Sequence, residues 1–360
     1  MIDLQQQYQQ LKTEIEPAIK TALTNAHYIL GPNVSAFERE AAKYLDVKHA
    51  LGVASGTDAL HLALLACGIQ PGDEVITPAF TFIATVEAIL YCGAKPIFID
   101  IDENNFNLDL QQLKYLITDK TKAIVPVHLY GNPVNMTALM QIANKHNLKV
   151  IEDAAQSFGA TWKKQQTGSF GHCGCYSFYP SKNLSAFGDA GLITTNSDEI
   201  YNELCALHNH GSYTRYHHEK LGYNSRLDEL QAVILRIKLK YLDQFNKKRH
   251  AAAQQYSHLL HDKIITPQEN SESQHIYHQY TILHDKRAQI QQALKAANIA
   301  SAIYYPIPLH QQPLFANQYA GLSLPITEKI TQQCLSLPIF PEISETQIKQ
   351  ITSIINRAIT

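Results

Sequence analysis

Lys149-Val-Ile-Glu-Asp-Ala-Ala-Gln156 sets a short apolar run directly against two adjacent acids, and the reading of the fold starts there. A continuous run of this kind, without polar alternation, suits a strand buried on both faces of a sheet. Five more stretches read the same way: Leu51-Gly-Val-Ala54, Glu74-Val-Ile-Thr77, Pro96-Ile-Phe-Ile-Asp100, Ala123-Ile-Val-Pro-Val127 and Cys175-Tyr-Ser-Phe178. Between them, residues 58–67, 81–91, 109–117 and 135–146 carry helical spacing, several opened by Thr, Asp or Asn in cap positions. The alternation predicts an α/β protein with a doubly wound sheet covered by helices on both faces.

Past Arg226 the pattern changes. Residues 227–260 read as one long or bent helix with an apolar stripe of Leu230, Val233, Ile234, Ile237 and Leu242. The remainder suggests a small α+β unit: strands at 276–283 and 302–305, and helices at 287–297, near Glu328 and near Gln347. The expected division is a large domain, 1–245, and a small one, 246–360, with the segment 1–25 folding back onto the small domain. Residues 266–274 read as an exposed connection, and no internal repeat is visible.

Composition narrows the function. Hydrophobic residues make up 45% and charged residues 17%, with Lys+Arg 30 against Asp+Glu 32, a balance that suggests neither disorder nor a nucleic-acid surface. The Gln-rich opening lacks the apolar core of a signal peptide, and no later stretch approaches a membrane span, so a cytoplasmic protein acting on small molecules is expected. The six cysteines do not make a disulfide scaffold; Cys173-Gly-Cys175 lacks zinc-ribbon spacing and reads as buried thiols. Four histidines fall between His208 and His218, but no metal site is expected, because neither a helical His pair nor paired carboxylates accompany them.

Ligands of open α/β sheets sit beyond the carboxyl ends of the strands, and four segments lie there. Ala54-Ser-Gly-Thr-Asp58 is a small, flexible strand-to-helix turn whose N–H groups can hold a phosphate, though it also reads as an ordinary capping turn. Glu152 and Asp153 must point to opposite faces, so one of them can serve as the carboxylate that keeps a pyridine nitrogen protonated; strand parity does not choose between them, and an exposed strand end is the plain alternative. Lys182 stands in Ser177-Phe-Tyr-Pro-Ser-Lys-Asn-Leu184, among aromatic and small residues, an odd place for a solvated lysine. Desolvation there would favour the neutral amine needed for a Schiff base, against the plain reading of a lysine capping a turn. Gly168, Gly171 and Gly174 do not form a dinucleotide fingerprint, which weakens a nicotinamide oxidoreductase. The fourth segment, Leu221-Gly-Tyr-Asn-Ser-Arg-Leu-Asp-Glu-Leu-Gln231, has the residues of a helix start.

Together and in order, these segments resemble the DegT/DnrJ/EryC1/StrS sugar aminotransferases, which have the fold type I architecture of aspartate aminotransferase. The likeness extends over nearly the whole chain, through Gly31-Pro-Asn-Val34, Gly72-Asp-Glu-Val-Ile-Thr-Pro-Ala-Phe-Thr-Phe-Ile-Ala-Thr85, Pro126-Val-His-Leu-Tyr-Gly131, Gly188-Asp-Ala-Gly191 and Tyr305-Pro-Ile-Pro-Leu-His310. The resemblance implies pyridoxal 5'-phosphate (PLP) as cofactor, with Lys182 as its Schiff-base partner and proton shuttle, and Asp153 as the partner of the pyridine nitrogen. It also implies Gln156 near the phenolic oxygen, Phe82 stacked on the ring, and Gly56, Thr57 and Ser177 around the phosphate. Asn224 would reach the phosphate of a second subunit in a homodimer. Tyr179, Tyr216, His217 and His310 are the expected substrate contacts. The implied reaction moves an amino group from an amino acid, by resemblance L-glutamate, to a nucleotide-linked keto sugar in amino-sugar biosynthesis, as for an O-antigen or other polysaccharide. The motifs look most like those of enzymes acting on a dTDP-3-keto-6-deoxyhexose; a UDP-linked 3-keto or a 4-keto-6-deoxy sugar is the alternative. Related dehydratases replace the lysine with histidine, and a non-catalytic regulator would have no need of Lys182.

Overall fold

The apolar runs pair into a seven-stranded sheet in the computed structural model, which describes residues 1–214, 216–315 and 317–359. Its spatial order is His49–Val53, Gly191–Thr195, Cys173–Ser177, Lys149–Asp153, Thr121–Ile124, Glu74–Pro78 and Lys95–Ile99. Neighbours are parallel except around Gly191–Thr195, which runs against both His49–Val53 and Cys173–Ser177 and makes the sheet mixed. All six strands expected from the sequence are present; the reversed one lies outside those six runs.

Helices Gly56–Ala66, Ala84–Tyr91, Leu110–Leu116 and Met136–Lys145 fill the intervals, each near its expected place. One face of the sheet buries Val75, Val125, Ile151 and Ile193 against Leu60, Ala63, Leu64 and Ile89. The other buries Phe178 and Leu192 against Phe37, Leu45, Leu227 and Leu235, which explains why these strands read as unbroken apolar runs. Cys173 and Cys175 are buried free thiols.

The long helix breaks at Lys240-Tyr241 into Glu229–Leu239 and Leu242–Leu259. Its first half is held by an ionic cap: buried Glu229 accepts from the Asn33 and Val34 N–H groups and from Asn33 Nδ2, placing a carboxylate at the N-terminus of helix Pro32–Leu45. Helix Leu4–Asn25 lies on that same first half through Leu11, Ile15 and Ala22 against Val233, Ile234 and Ile237. The opening residues also meet the small unit: Met1 to Gln5 line a cavity with Asn298, Pro338, Ile343 and Gln347, and the Ile339 N–H donates to the Met1 carbonyl. Helix Leu242–Leu259 begins in the core of the large sheet at Leu242 and ends in a separate core, where Ala253 and Tyr256 meet Ile282, Leu294, Leu335 and Ile351. That second core is built on an antiparallel pair, Tyr280–Leu283 with Cys334–Leu337, and on helices Arg287–Ala296 and Glu345–Ile359, while helix Pro325–Gln333 packs Ile330 against Phe80, Ile101 and Leu283. The strand expected at 302–305 shrinks to one bridge between Ala302 and Ser336. Among the described residues no helix is long and apolar enough to cross a membrane.

Candidate active site

A cleft of about 610 Å³ opens at the carboxyl ends of the parallel strands, and several of them contribute residues that follow them. Strand His49–Val53 brings Ser55, Gly56 and Thr57; Glu74–Pro78 brings Thr81, Phe82 and Thr85; Lys149–Asp153 brings Asp153 and Gln156; Cys173–Ser177 brings Ser177, Tyr179 and Lys182. The small unit closes the cleft with His278, Gln279, Tyr304 and Tyr305.

The phosphate-type turn is geometrically narrow. Ser55 caps helix Gly56–Ala66 by accepting the Asp58 N–H at 3.1 Å, and the N–H groups of Gly56 and Thr57 belong to a first turn that has no preceding carbonyls. A Cβ at Gly56 would stand 2.6 Å from Ser177 Cβ, so only glycine lets the turn and the serine close on a common small anion. The turn is braced from below by Ser225, whose hydroxyl donates to Asp58 and accepts from the Ala54 N–H.

The two acids part company. Glu152 is fully buried on the face away from the cleft: Oε1 accepts from the Phe170 and Gly171 N–H groups at 2.8 and 2.7 Å, and Oε2 from Gly168 N–H at 2.7 Å and His128 Nε2 at 3.0 Å. His128 Nδ1 accepts the Val134 N–H, which forces the proton onto Nε2 and makes Glu152 its acceptor. Asp153 lines the cleft. Thr85 Oγ1 donates to its Oδ2 at 2.8 Å, Thr81 in turn donates to Thr85, and the Ala155 N–H reaches Oδ1. Burial raises the Asp153 pKa, while Thr85, the Ala155 N–H and the Lys182 charge oppose that rise.

Lys182 follows a tight turn in which its N–H donates to the Tyr179 carbonyl. Burial pushes its ammonium down to about 8, against the pull of Asp153, so the neutral amine is accessible near neutrality. Gln156 is fixed by the Tyr130 N–H on its oxygen and by donation to the Tyr305 hydroxyl, and the exposed Phe82 ring faces Tyr305 with centroids 6.1 Å apart.

Of the expected substrate contacts, Tyr179 lines the cleft and is half exposed. Tyr216 and His217 lie in and beside the exposed hairpin Ser212–Thr214 with His217–His218, outside the cleft's lining. His310 lies outside the cleft's lining: it is 2% exposed, its Nε2 lies 3.1 Å from Glu328 Oε1, and it packs beside Phe98. Tyr304 and Tyr305, earlier in the same motif, hold that wall instead. Asn224 is exposed and away from its own chain's cleft; Arg226 donates to its Oδ1, which turns the amide's donors the other way. Thr85, Tyr130, His278 and Gln279 were not among the residues expected at the site. Thr85 follows the strand ending at Pro78 and Tyr130 the one ending at Ile124, a position that signalled both; His278 and Gln279 reach the cleft through long-range packing. Among the described residues no group of three or more His, Cys, Asp or Glu could hold a metal ion.

A phosphate-sized turn, a desolvated lysine, a buried carboxylate and an amide at one cleft fit PLP, and the mixed sheet that carries them is that of a fold type I PLP-dependent transferase. The chain belongs to the DegT/DnrJ/EryC1/StrS aminotransferase family, whose model matches residues 9–356. It is 49% identical to the UDP-N-acetyl-3-dehydro-alpha-D-glucosamine 3-aminotransferase of Acidithiobacillus ferrooxidans, over 100% of this chain and 97% of that one. It is 40% identical to the dTDP-3-amino-3,4,6-trideoxy-alpha-D-glucose transaminase of Streptomyces venezuelae, over 97% and 93%. The crystal structure of S. venezuelae DesV in complex with a ketimine intermediate superposes with a TM-score of 0.97 at 39% identity, covering 99% of this chain and 97% of that one. The protein is a PLP-dependent aminotransferase of nucleotide sugars.

Proposed function

We propose that this enzyme aminates the 3-keto carbon of a nucleotide-linked hexose, with L-glutamate as amino donor, and that a UDP-linked 2-acetamido sugar is its substrate. The observation that carries the reaction is the convergence of Lys182, Asp153, Gln156, Ser177 and the Gly56-Thr57 turn on one cleft. The relative at 49% identity is named for a UDP-linked 3-keto sugar, and the one at 40% for a dTDP-linked 3-amino sugar. Both names place the nitrogen on carbon 3. A dTDP-3-keto-6-deoxyhexose is the second reading, supported by the TM-score of 0.97 to DesV from the same organism as the 40% relative.

In this reading Gly56, Thr57 and Ser177 hold the phosphate and Phe82 flanks the ring. Asp153 keeps the pyridine nitrogen protonated, and Gln156 orients the oxygen side. The bound cofactor supplies an electron sink at the substrate carbon. Lys182 would anchor it covalently and, with its amine free, would move a proton on Nζ in each half-reaction, off the donor's α-carbon in the first and onto the sugar's carbon 3 in the second. A carboxylate with two oxygens already engaged by Thr85 and Ala155 is well placed to stay ionised against its own burial. The active form is a cytoplasmic homodimer in which Asn224 of one subunit donates to the phosphate bound by the other, and the exposed Tyr28, Ile29 and Leu30 supply part of the buried face.

Purified enzyme, glutamate and a panel of UDP- and dTDP-linked 3-keto and 4-keto sugars, with products identified by mass and NMR, tests this. Amination of the UDP-linked 2-acetamido-3-keto sugar at the highest kcat/KM is expected; preference for a 4-keto sugar would overturn the assignment to carbon 3.

A further inference from the structure

Residue 183 ties the lysine turn to a chain of polar side chains whose donors and acceptors can all be assigned. Asn183 Nδ2 donates to the Ile276 carbonyl at 3.1 Å and to Asn246 Oδ1 at 2.8 Å. A carbonyl only accepts, so the Asn183 amide cannot be turned round, and its Oδ1 must face a donor. That atom lies 3.2 Å from His278 Nδ1. Asn246 is fixed in the same way, because its Nδ2 donates to the Phe158 carbonyl at 3.4 Å. His278 therefore carries its ring proton on Nδ1 and presents a bare Nε2.

His278 is 5% exposed and lines the same cleft as Lys182. Its backbone is pinned by donation to the Tyr130 carbonyl at 2.8 Å, so the ring has little freedom to swing. Burial holds the imidazole well below its ordinary pKa, and of the charges that add to this the Lys182 ammonium is the largest. A neutral ring stays an acceptor at Nε2 throughout the working pH range. The protein donor beside that nitrogen is Gln279 Nε2, at 3.5 Å, the outer limit of a hydrogen bond.

We propose that His278 is the positioning residue for Lys182: its bare Nε2 accepts a hydrogen bond from the lysine amine when that amine is released, and so holds it in line for proton transfer. The inference rests on Lys182 being the proton carrier. Asn183, next to Lys182 in the chain, locks the ring, so the peptide that carries the amine also fixes its acceptor. Deleting the acceptor leaves an amine that can rotate away from the reacting carbon.

The test uses His278→Asn, whose amide nitrogen can replace Nδ1–H toward Asn183 while nothing replaces Nε2. Four measurements are made on the full-length protein. In the apoenzyme, nitrogen-15 NMR should show a protonated Nδ1 and a bare Nε2 for His278, assigned by loss of the signal in the variant. Covalent capture of added PLP by the apoenzyme, followed by absorbance, should slow about tenfold, the rate equivalent of one hydrogen bond between neutral groups. The single-turnover rate with glutamate should fall by a similar factor, and its α-deuterium isotope effect should rise because proton transfer becomes more limiting. Thermal midpoint should stay within about 2 °C of wild type, since the Asn183 contact persists. A protonated Nε2 overturns the proposal, as do unchanged rates and isotope effect, a change confined to the KM for the sugar, or a loss of stability with normal rates per folded molecule. Lys182→Ala separates the two levels: if it keeps the glutamate half-reaction, the assignment of Lys182 has failed; if it abolishes that step while His278→Asn behaves as wild type, only the role of His278 has failed.

Discussion

Exchanging each of two neighbouring acids for its amide should split stability from chemistry. In Glu152→Gln one carboxylate oxygen becomes an NH2 group, and either orientation sets it against two donors, the Phe170 and Gly171 N–H groups or the Gly168 N–H with His128 Nε2. His128 cannot switch tautomer to help, because its Nδ1 is taken by the Val134 N–H. Two hydrogen bonds to a charged group are lost, each worth about 1.5–3 kcal/mol, so roughly 4 kcal/mol of folding free energy should go. With an unfolding entropy of about 2.1 cal/mol/K per residue over 360 residues, the melting midpoint should drop by about 5 °C. Asp153→Asn removes a buried charge, keeps its oxygen for the Ala155 N–H, and can donate its new NH2 to Thr85 once that hydroxyl turns to donate to Thr81, so its midpoint should stay within about 1–2 °C of wild type. Its turnover should fall at least about tenfold to a hundredfold, because an amide cannot hold the pyridine nitrogen protonated. The assay is thermal unfolding by circular dichroism, with steady-state rates expressed per folded, cofactor-loaded molecule. A Glu152→Gln protein that melts like wild type but is inactive, beside an Asp153→Asn protein with normal turnover, would refute the assignment of the two faces.

Borohydride should fix the cofactor irreversibly on Lys182 and abolish the visible absorbance; a reduced cofactor mapped to another lysine would remove Lys182 from its role. Mixing Lys182→Ala chains with Asn224→Asp chains should restore activity beyond either parent, because one of the two sites in the mixed dimer is then intact; a proven mixed dimer without recovery would make Asn224 a local cap. Burial raises Glu38 from 4.5 to about 7, against donation from the Gly52 N–H. A raised carboxyl costs nothing below pH 4.5, progressively more between 4.5 and about 7, and a constant amount above. Glu38→Gln should therefore gain about 1–3 kcal/mol over wild type at pH 8 and lose that advantage near pH 4.5, read from denaturant midpoints at the two pH values; a pH-independent difference would count against the buried, neutral acid.

The strands were legible because burial on both faces leaves an uninterrupted apolar signature, and His49–Val53 through Cys173–Ser177 were found on that basis. Gly191–Thr195 has its partners on both sides from the opposite direction, and local pattern carries no direction. The choice between Glu152 and Asp153 could not be read from parity because it depends on where the turn Gly168–Gly171 folds, across the sheet. Within the segment Tyr305 to His310 the sequence does not say which side chain faces the cleft: Tyr305 lines it, while His310 is turned toward Glu328 by tertiary packing. Helix Leu242–Leu259 was visible, but its division between two cores is a matter of tertiary packing.

The reversed strand also sets a timetable for synthesis. His49–Val53, which carries the Ser55-Gly56-Thr57 turn, has Gly191–Thr195 as its partner in the sheet. On a ribosome making about 5–20 residues per second, that partner emerges on the order of 10 s after the strand it must hold. Until then the nascent chain exposes an apolar strand with an unpaired edge, while the strands from Glu74 to Ser177 can already assemble beside one another. The anion-binding corner is thus seated only after the lysine turn has left the tunnel, as the last strand closes the sheet.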